Sequence, residues 1–112
     1  MDTIKIDNRF WIAKNGEPFL GHGRILLLEN IDRKGSINKA AKAMGMSYKR
    51  AWQIVSAINN LSDDPLVIRN TGGAGGGGTM LTEKGKQIIS EFRRIDKKCR
   101  ALLEREVEKC CF

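Results

Sequence analysis

The side chains best suited to chemistry gather in one stretch of the sequence that carries no acidic residue. Residues 33–62 include six lysines and arginines and neither Asp nor Glu. The hydroxyl, basic and amide groups that this stretch offers for recognition are Ser36, Ser47, Tyr48, Lys49, Arg50 and Gln53. Such groups donate hydrogen bonds or carry positive charge, which suits phosphates and the polar edges of bases. The stretch therefore predicts contact with a polyanion, and a solvated basic face is the alternative.

Residues capable of catalysis or metal binding form no pattern in this sequence. The single histidine, His22, has no candidate nucleophile near it, and Asp63–Asp64 is typical of a helix-ending turn. The three cysteines, Cys99, Cys110 and Cys111, have neither the spacing of a zinc site nor the even number of a disulfide framework. We therefore expect no enzyme activity, no metal and no cofactor. Cys99 is expected in an interface and the last two cysteines as exposed thiols.

The glycine-rich residues 72–78 raise the question of a nucleotide-binding loop. Gly73, Gly75 and Gly78 have the spacing G-x-G-x-x-G, but in a run of glycines this match is nearly automatic. The dinucleotide fingerprint needs a helix directly after the last glycine, and a phosphate loop needs a lysine there. Because strand-like residues 79–81 follow instead, we expect no ATP or NAD.

The composition is that of one globular domain spanning residues 1–112. Hydrophobic residues make up 41% and charged residues 29% of the sequence, and the net charge is +7. This positive balance favours a polyanionic partner. The longest apolar run, residues 25–28, is too short to cross a bilayer, and residues 1–11 lack the apolar block of a signal peptide. We expect a cytoplasmic protein without a membrane partner.

Hydrophobic spacing predicts a strand or hairpin over residues 3–20 and a three-helix core over residues 22–62. Within this core, Ser36 and Ser47 stand at the N-cap positions of two short helices. A turn that contains glycine joins the two helices, and small alanines lie where the helices must approach each other. This combination predicts a helix-turn-helix over residues 36–61.

The second helix of this motif is the expected reading element. Residues 47–49 lie at its N-terminus, from which side chains reach base edges in the major groove, and Gln53 lies one turn further on. Gln53 suits an adenine edge, and Arg50 or Lys49 suits guanine or phosphate. Ser36 would hold a phosphate at the preceding helix. Trp52, at the edge of the apolar face, is expected to pack rather than to read.

Residues 66–82 predict a hairpin, a wing, whose tip is the glycine run. The segments "LVIR" and "TML" on either side of the run are short and strand-like. Arg69 and Thr71 at the base would donate to phosphates, and Gly73 and Gly75 would let the backbone approach the strand closely. A loose loop that binds nothing is the alternative.

Residues 83–109 predict one long helix. Its apolar residues recur at spacings of four and three in a heptad-type seam: Ile88, Phe92, Ile95, Cys99 and Leu102. Such a helix is about 39 Å long at 1.5 Å per residue, which is longer than a small domain can cover. We therefore expect its outer half to bury the seam against a second copy of the chain. Folding back on the domain's own core would account for the first turns only.

Residues 35–52, GSINKAAKAMGMSYKRAW, and residues 66–85, LVIRNTGGAGGGGTMLTEKG, resemble the DNA-binding domain of the molybdate-responsive ModE regulators. That family shows the core G-S-I-x-x-A-A-K-x-x-G-x-S-Y-K-x-A-W and a T-G-G-x-G-G-G-G wing leading into L-T-x-x-G. The likeness extends over residues 3 to about 100. It implies a winged helix-turn-helix related to that of LysR-type regulators, which dimerises partly through its long terminal helix and binds palindromic operators. It also places residues 47–49 at the start of the reading helix and residues 71–78 in the wing.

ModE regulators carry molybdate-binding domains after this helix, whereas the present sequence ends at Phe112. We therefore expect no molybdate binding by these residues. A separate ligand-sensing protein is one possible partner.

Together these features predict an α+β fold, a winged helix-turn-helix with an N-terminal hairpin and a long C-terminal dimerisation helix. The predicted function is a homodimeric transcriptional regulator that binds double-stranded DNA at a palindromic operator. Two alternatives remain open: a protein–protein interaction module on the same scaffold, and a thiol or metal sensor through Cys110 and Cys111.

Overall fold

The chain alternates hairpins and helices in the predicted order. The computed structural model describes residues 3–70 and 78–112. Its elements are β1 (Trp11–Lys14), β2 (Glu17–Gly21), α1 (His22–Lys34), α2 (Ile37–Ala43), α3 (Tyr48–Leu61), β3 (Val67–Asn70), β4 (Gly78–Leu81) and α4 (Glu83–Glu108). β1 pairs antiparallel with β2, and β3 pairs antiparallel with β4. The predicted α+β fold is thus confirmed.

The N-terminal hairpin is shorter than the sequence predicts, because residues 3–10 lie in neither a strand nor a helix. β2 has only 5 residues, and these pair with residues 11–14 and with nothing before them. Ile4 and Ile6, whose alternation predicts a strand, instead border a depression on the outer half of α4. This segment is therefore an extended arm against α4.

α1 lies at the centre of the core. Ile25, Leu27, Leu28 and Ile31 are all fully buried. The three-residue spacing predicts burial of Ile25, Leu28 and Ile31 but not of Leu27. α1 contacts β2, α2, β4 and α4, so more of its circumference is buried than a single stripe. Gly35 ends the helix in the left-handed conformation, with φ of 75°.

α2 and α3 form the predicted helix-turn-helix. Ala40, Ala41 and Ala51 are buried in the core, where small side chains allow helices to approach closely. Gly45, in the turn between the two helices, has φ of 67°, a value that favours glycine. The turn therefore fixes the angle at which α3 leaves α2.

β3 and β4 form the predicted wing hairpin. Val67 lies opposite Leu81 at its base, and Asn70 lies opposite Gly78 at its far end. Val67 and Leu81 are buried, so the base of the wing belongs to the hydrophobic core. The predicted glycine tip, residues 71–77, lies outside the described residues.

The first half of α4 is a core element. A Cβ atom at Gly85 would lie 2.5 Å from the carbonyl oxygen of Leu66, so only glycine permits this approach to the chain entering β3. Phe92 is 1% exposed and its ring stacks on Phe10, with centroids 4.7 Å apart. Phe92 is thus committed to the core of its own chain, and the predicted dimer seam loses this member. Heptad spacing does not distinguish packing on the core of the same chain from packing on a second chain, because both bury the same stripe of the helix.

Candidate nucleic-acid interface

A groove forms where the start of α2, one face of α3 and the wing meet. Its volume is about 230 Å³. The side chains that line it are Ser36, Ile37, Asn38, Tyr48, Trp52, Val55, Ser56, Asn59, Val67, Ile68, Arg69 and Thr79. The structure thus brings predicted contacts from three separate segments, Ser36, Tyr48 and Arg69, to one surface.

The polar residues of α3 occupy different parts of its circumference. Successive residues of an α-helix are rotated by about 100°, so Tyr48 and Trp52 share the face towards the wing. Lys49 and Gln53 follow on the adjoining solvent face, and both are exposed. Arg50 lies at the far edge of the helix. We therefore expect Lys49 and Gln53 to project outward beside the groove.

Arg50 lies close enough to Arg24 of α1 for the two charges to interact. Burial lowers the pKa of the Arg24 guanidinium, and the positive charge of Arg50 lowers it further. The Arg24 side chain is fixed by donating to the carbonyl oxygens of Pro18 at 3.0 Å and Phe19 at 3.3 Å. Arg50 therefore belongs to a second cationic edge, on the side of α3 away from the wing.

Ser36 and Ser47 both serve as N-caps. The Oγ of Ser36 accepts a hydrogen bond from the backbone N–H of Lys39 at 3.0 Å, and the Oγ of Ser47 accepts one from that of Arg50 at 3.1 Å. A hydroxyl that accepts in this way still has its own proton to donate. Each serine can thus start its helix and donate to a phosphate at the same time.

Asn59 sets the position of the wing relative to α3. Its side-chain amide donates to the carbonyl oxygen of Val67 at 2.9 Å. Its Oδ1 accepts from the backbone N–H groups of Leu66 at 2.9 Å and Val67 at 3.3 Å. Thr79 of the other strand donates its backbone N–H to the carbonyl oxygen of Gly35 at 2.9 Å. The wing is therefore held on one side by α3 and on the other by the chain that enters α2.

Arg69 and Thr79 face each other across the wing. Arg69 is exposed and lines the groove, so it remains a candidate for phosphate contact. Thr79 also lines the groove, although the sequence analysis did not select it. The other predicted wing contacts, Thr71, Gly73 and Gly75, lie outside the described residues.

Comparison with known proteins assigns this arrangement to a family. Residues 23–86 match the family described as bacterial regulatory helix-turn-helix protein, lysR family. This match covers more than half of the chain. The chain belongs to the LysR family of bacterial regulatory helix-turn-helix proteins. It is therefore a helix-turn-helix DNA-binding domain of a transcription-regulator family, and that family is not one of enzymes.

Among its relatives, this LysR-family domain is similar to ModE proteins. It is 46% identical to the "Molybdenum transport protein ModE" of Azotobacter vinelandii over 90 residues, which are 80% of this chain and 33% of the relative. It is 50% identical to the "Transcriptional regulator ModE" of Yersinia pestis over 90 residues, 80% of this chain and 31% of the relative. It is 44% identical to the "Molybdenum-pterin-binding protein MopA" of Rhodobacter capsulatus over 85 residues, 76% of this chain and 32% of the relative. The matched part of the chain thus spans about a third of the length of these relatives, and it is related to the N-terminal region of ModE.

Trp52 of the LysR-family domain is more exposed than its position at the edge of the apolar face suggests. We expect it to pack, but it is 52% exposed and lines the groove beside Tyr48, which is 51% exposed. Its i, i+4 spacing from Tyr48 indicates only that the two aromatic residues share a face of the helix. A half-exposed indole offers apolar surface next to polar groups, which suits a thymine methyl or a sugar.

The remaining predicted seam residues lie along α4, with Ile88 in its first turns and Ile95, Cys99 and Leu102 further along. Ile88, Ile95 and Cys99 are half-buried, and Leu102 is 50% exposed. Ile88 packs against the hydrophobic core of its own chain, so the predicted dimer seam loses this member as well as Phe92. Ile95, Cys99 and Leu102 therefore remain the candidates for contact with a second copy of the LysR-family domain. As expected, Cys110 and Cys111 are exposed, free thiols.

A cluster of polar groups joins α1 to α4. Nε2 of His22 lies 3.1 Å from Oδ1 of Asp96, and Nε of Arg100 donates to both oxygens of Asp96, at 3.3 and 3.2 Å. Because an ionised carboxylate only accepts, Nε2 of His22 carries the proton. Burial alone would raise the pKa of Asp96, but the hydrogen bonds from His22 and Arg100 outweigh it and lower this pKa below its usual value. The cluster ties the two helices together, and nothing in it resembles a nucleophile with its base.

In residues 3–70 and 78–112, no three His, Cys, Asp or Glu side chains come together in a way that could hold a metal ion. None of the helices in this described part of the chain combines the length and the apolar character needed to cross a bilayer.

Proposed function

We propose that this chain regulates transcription by binding, as a homodimer, to a two-fold-symmetric site on double-stranded DNA. The observation that carries the proposal is the groove, in which α2, α3 and the wing present Ser36, Tyr48 and Arg69 on one surface. Membership of a regulatory helix-turn-helix family supports DNA as the partner. Because that partner is the cell's DNA, we infer that the protein acts in the cytoplasm.

In this proposal α3 enters the major groove, which is about 12 Å wide and admits one helix. Ser47, Tyr48 and Lys49 reach base edges or nearby phosphates from its first turn, and Gln53 reads an adenine edge. Trp52 adds apolar contact on the wing side. The wing follows the sugar–phosphate backbone, with Arg69 and Thr71 at its base and Gly73 and Gly75 at its tip.

The second copy is proposed to join along the outer half of α4. This helix has 26 residues, and its first part already packs on the core of its own chain. Beyond that part, Ile95, Cys99 and Leu102 form an apolar stripe that is only partly covered. Two chains related by a two-fold axis would set their reading helices about 34 Å apart, in successive major grooves.

Selection of bound sequences from a random pool of duplex DNA tests the proposal. We expect enrichment of an inverted repeat with half-site centres about 10 base pairs apart. Two of the relatives described above have molybdenum in their names, so the selection is run with and without molybdate. Enrichment of a single half-site would overturn the dimer, and an effect of molybdate would overturn the expectation that these residues do not bind it.

Salt dependence separates the proposal from the alternative of an interaction module. DNA affinity measured by fluorescence anisotropy falls steeply with salt, because phosphate contacts release counterions. An interaction module on the same scaffold would show no binding to duplex DNA, or binding without this slope. Equal affinity for duplex DNA before and after oxidation of Cys110 and Cys111 would exclude the alternative of a thiol sensor.

A further inference from the structure

We infer that Lys34, Lys39 and Lys42 form a second phosphate-binding surface, here called the lysine ridge, beside the reading helix. This inference rests on the proposed function and extends it, because it assigns a DNA contact to the outer side of α2. Lys34 is the last residue of α1, and Lys39 and Lys42 lie on α2. Together with Ala43 they border one open depression of about 600 Å³.

The lysine ridge is continuous with the groove. Asn38 of α2 lines the groove with Tyr48 and Trp52. Lys42 lies one turn after Asn38, on the same face of α2, because residues four apart in a helix are neighbours. A strand of DNA that passes the groove on the α2 side therefore continues towards Lys42.

The charges of the lysine ridge are not neutralised within the described chain. The ion pairs in residues 3–70 and 78–112 use Lys14, Lys86 and Lys109 among the lysines, and the three ridge lysines take part in none. All three are exposed. Three ammonium groups without a carboxylate raise the local concentration of a polyanion.

The usual placement of a helix-turn-helix on DNA indicates that the lysine ridge contacts DNA phosphates. When the second helix of the motif lies in the major groove, the first helix crosses the sugar–phosphate backbone. The exposed side of α2 then faces the phosphates that flank the site. The ridge is therefore expected to lengthen the contact with DNA without reading its sequence.

The test is a triple variant, Lys34→Gln, Lys39→Gln and Lys42→Gln, in the full chain. The matched control is Lys84→Gln, Arg94→Gln and Lys97→Gln, which removes the same charge from exposed positions of α4. Affinity is measured by anisotropy on a mixed-sequence duplex of about 30 base pairs, or three helical turns, across a salt series. Thermal unfolding of both variants separates DNA effects from folding effects.

Each lost phosphate contact reduces the slope of log affinity against log salt by about 0.9. Three lost contacts per protomer are six per dimer, and they lower the fall in affinity between about 50 and 200 mM salt by roughly 2,000-fold; loss from one protomer alone would lower it by roughly 40-fold. We expect this change in the ridge variant and a smaller one in the control, with the preference for a selected over a scrambled duplex unchanged in both.

Equal slopes in the ridge variant and the control would overturn the lysine ridge while leaving the proposed function intact. The lysine ridge would also be overturned if the slope of log affinity against log salt changed only together with a loss of thermal stability in the ridge variant. Absence of salt-dependent DNA binding in the unmodified chain would instead overturn the proposed function, and the ridge with it.

Discussion

Arg93 and Arg100 on α4 are held by carboxylates, whereas, among the described residues, Lys49 and Arg50 on α3 are not. Nε of Arg93 donates to Oε2 of Glu29 at 3.0 Å, and Arg100 is paired with Asp96. In the described part of the chain, neither Lys49 nor Arg50 takes part in an ion pair. The difference separates positive charge that holds the fold together from positive charge that is available to a partner.

The pKa values of the arginines also shift in opposite directions in the two regions. Glu29 hydrogen-bonds the Arg93 guanidinium and thereby raises its pKa, although burial acts in the opposite direction. On the α3 side, burial lowers the pKa of Arg24, and the like charge of Arg50 close to it lowers this pKa further. Like charges kept together on one surface cost stability, and an anionic partner would relieve that cost.

The largest expected effect comes from breaking the charge cluster on α4. Asp96→Ala leaves His22 and Arg100 without their common acceptor. Since the Asp96 side chain is only 8% exposed, we expect a loss of about 2–3 kcal/mol in the free energy of unfolding, measured with urea. Arg100→Ala is the control, and it should cost less because the Arg100 side chain is 60% exposed. A change in Asp96→Ala no larger than in the control would show that the cluster does not stabilise the fold.

Acid should remove the same stabilisation more gradually. The folded-state pKa of Asp96 is lowered, so its contribution is complete above the unfolded-state pKa of about 3.9 and disappears as the pH falls through the folded value. The free energy of unfolding should therefore decrease below about pH 4 more steeply in the unmodified chain than in Asp96→Asn. Parallel pH profiles for the two proteins would contradict this assignment.

Much of the fold was predictable because its signals are local. N-cap serines, glycines after helices and three- or four-residue apolar spacing determine α1 to α3 within their own segments. The packing of Phe92 in the core of its own chain was not predictable, because its stacking partner Phe10 lies far away in the sequence. The arm of residues 3–10 was misjudged as a strand, since alternation of apolar residues does not reveal whether a partner strand is long enough.

The candidate site was predictable to a similar extent. Ser36, Tyr48 and Arg69 were selected for their chemistry, and the fold brings all three to the groove. The exposure of Trp52 was not predictable because its position at the edge of an apolar face fits both burial and exposure. Only the position of the wing, fixed by Asn59, shows that this edge borders the groove.

On α3, the double variant Lys49→Ala with Arg50→Ala should affect DNA affinity rather than stability. We expect a loss of about 1–3 kcal/mol in binding if either side chain reaches a base edge. Of the single variants, Lys49→Ala should cost more, because Lys49 adjoins the groove side of α3 and Arg50 lies at its far edge. The paired control is Arg94→Ala with Lys97→Ala, two exposed positions of α4. Unaltered anisotropy titrations for the α3 variant would refute the placement of α3 on DNA.

Trp52→Ala tests whether the exposed aromatic surface in the groove contributes to DNA binding. DNA covering about half of the exposed part of the indole would bury roughly 60 Å², worth about 1–2 kcal/mol of affinity at about 25 cal/mol per Å². Trp11→Ala is the matched control, because Trp11 is 70% exposed on β1 and does not line the groove. We expect only the Trp52 variant to lose DNA affinity in anisotropy titrations. Equal effects of the two variants would mean that the groove makes no apolar contact with DNA.

The smallest expected effect separates the two roles of Ser47. Ser47→Ala removes an N-cap and should lower the free energy of unfolding by about 1 kcal/mol. Thr82→Ala also removes a cap, since Thr82 accepts from the N–H of Gly85 at 3.0 Å, and it lies at the start of α4. Both variants should be destabilised in urea, but only Ser47→Ala should also bind DNA more weakly, by about fivefold.

Ser47→Asp gives the sharper version of this test, because the change affects the two roles in opposite directions. Aspartate is a good N-cap, and its charge is favourable at the start of a helix, so α3 should remain as stable as in the unmodified chain. The same carboxylate repels phosphate, so DNA affinity should fall further than in Ser47→Ala. Should Ser47→Asp bind DNA as tightly as the unmodified chain, the start of α3 does not approach the DNA backbone, and the contrast between α3 and α4 would concern charge pairing alone.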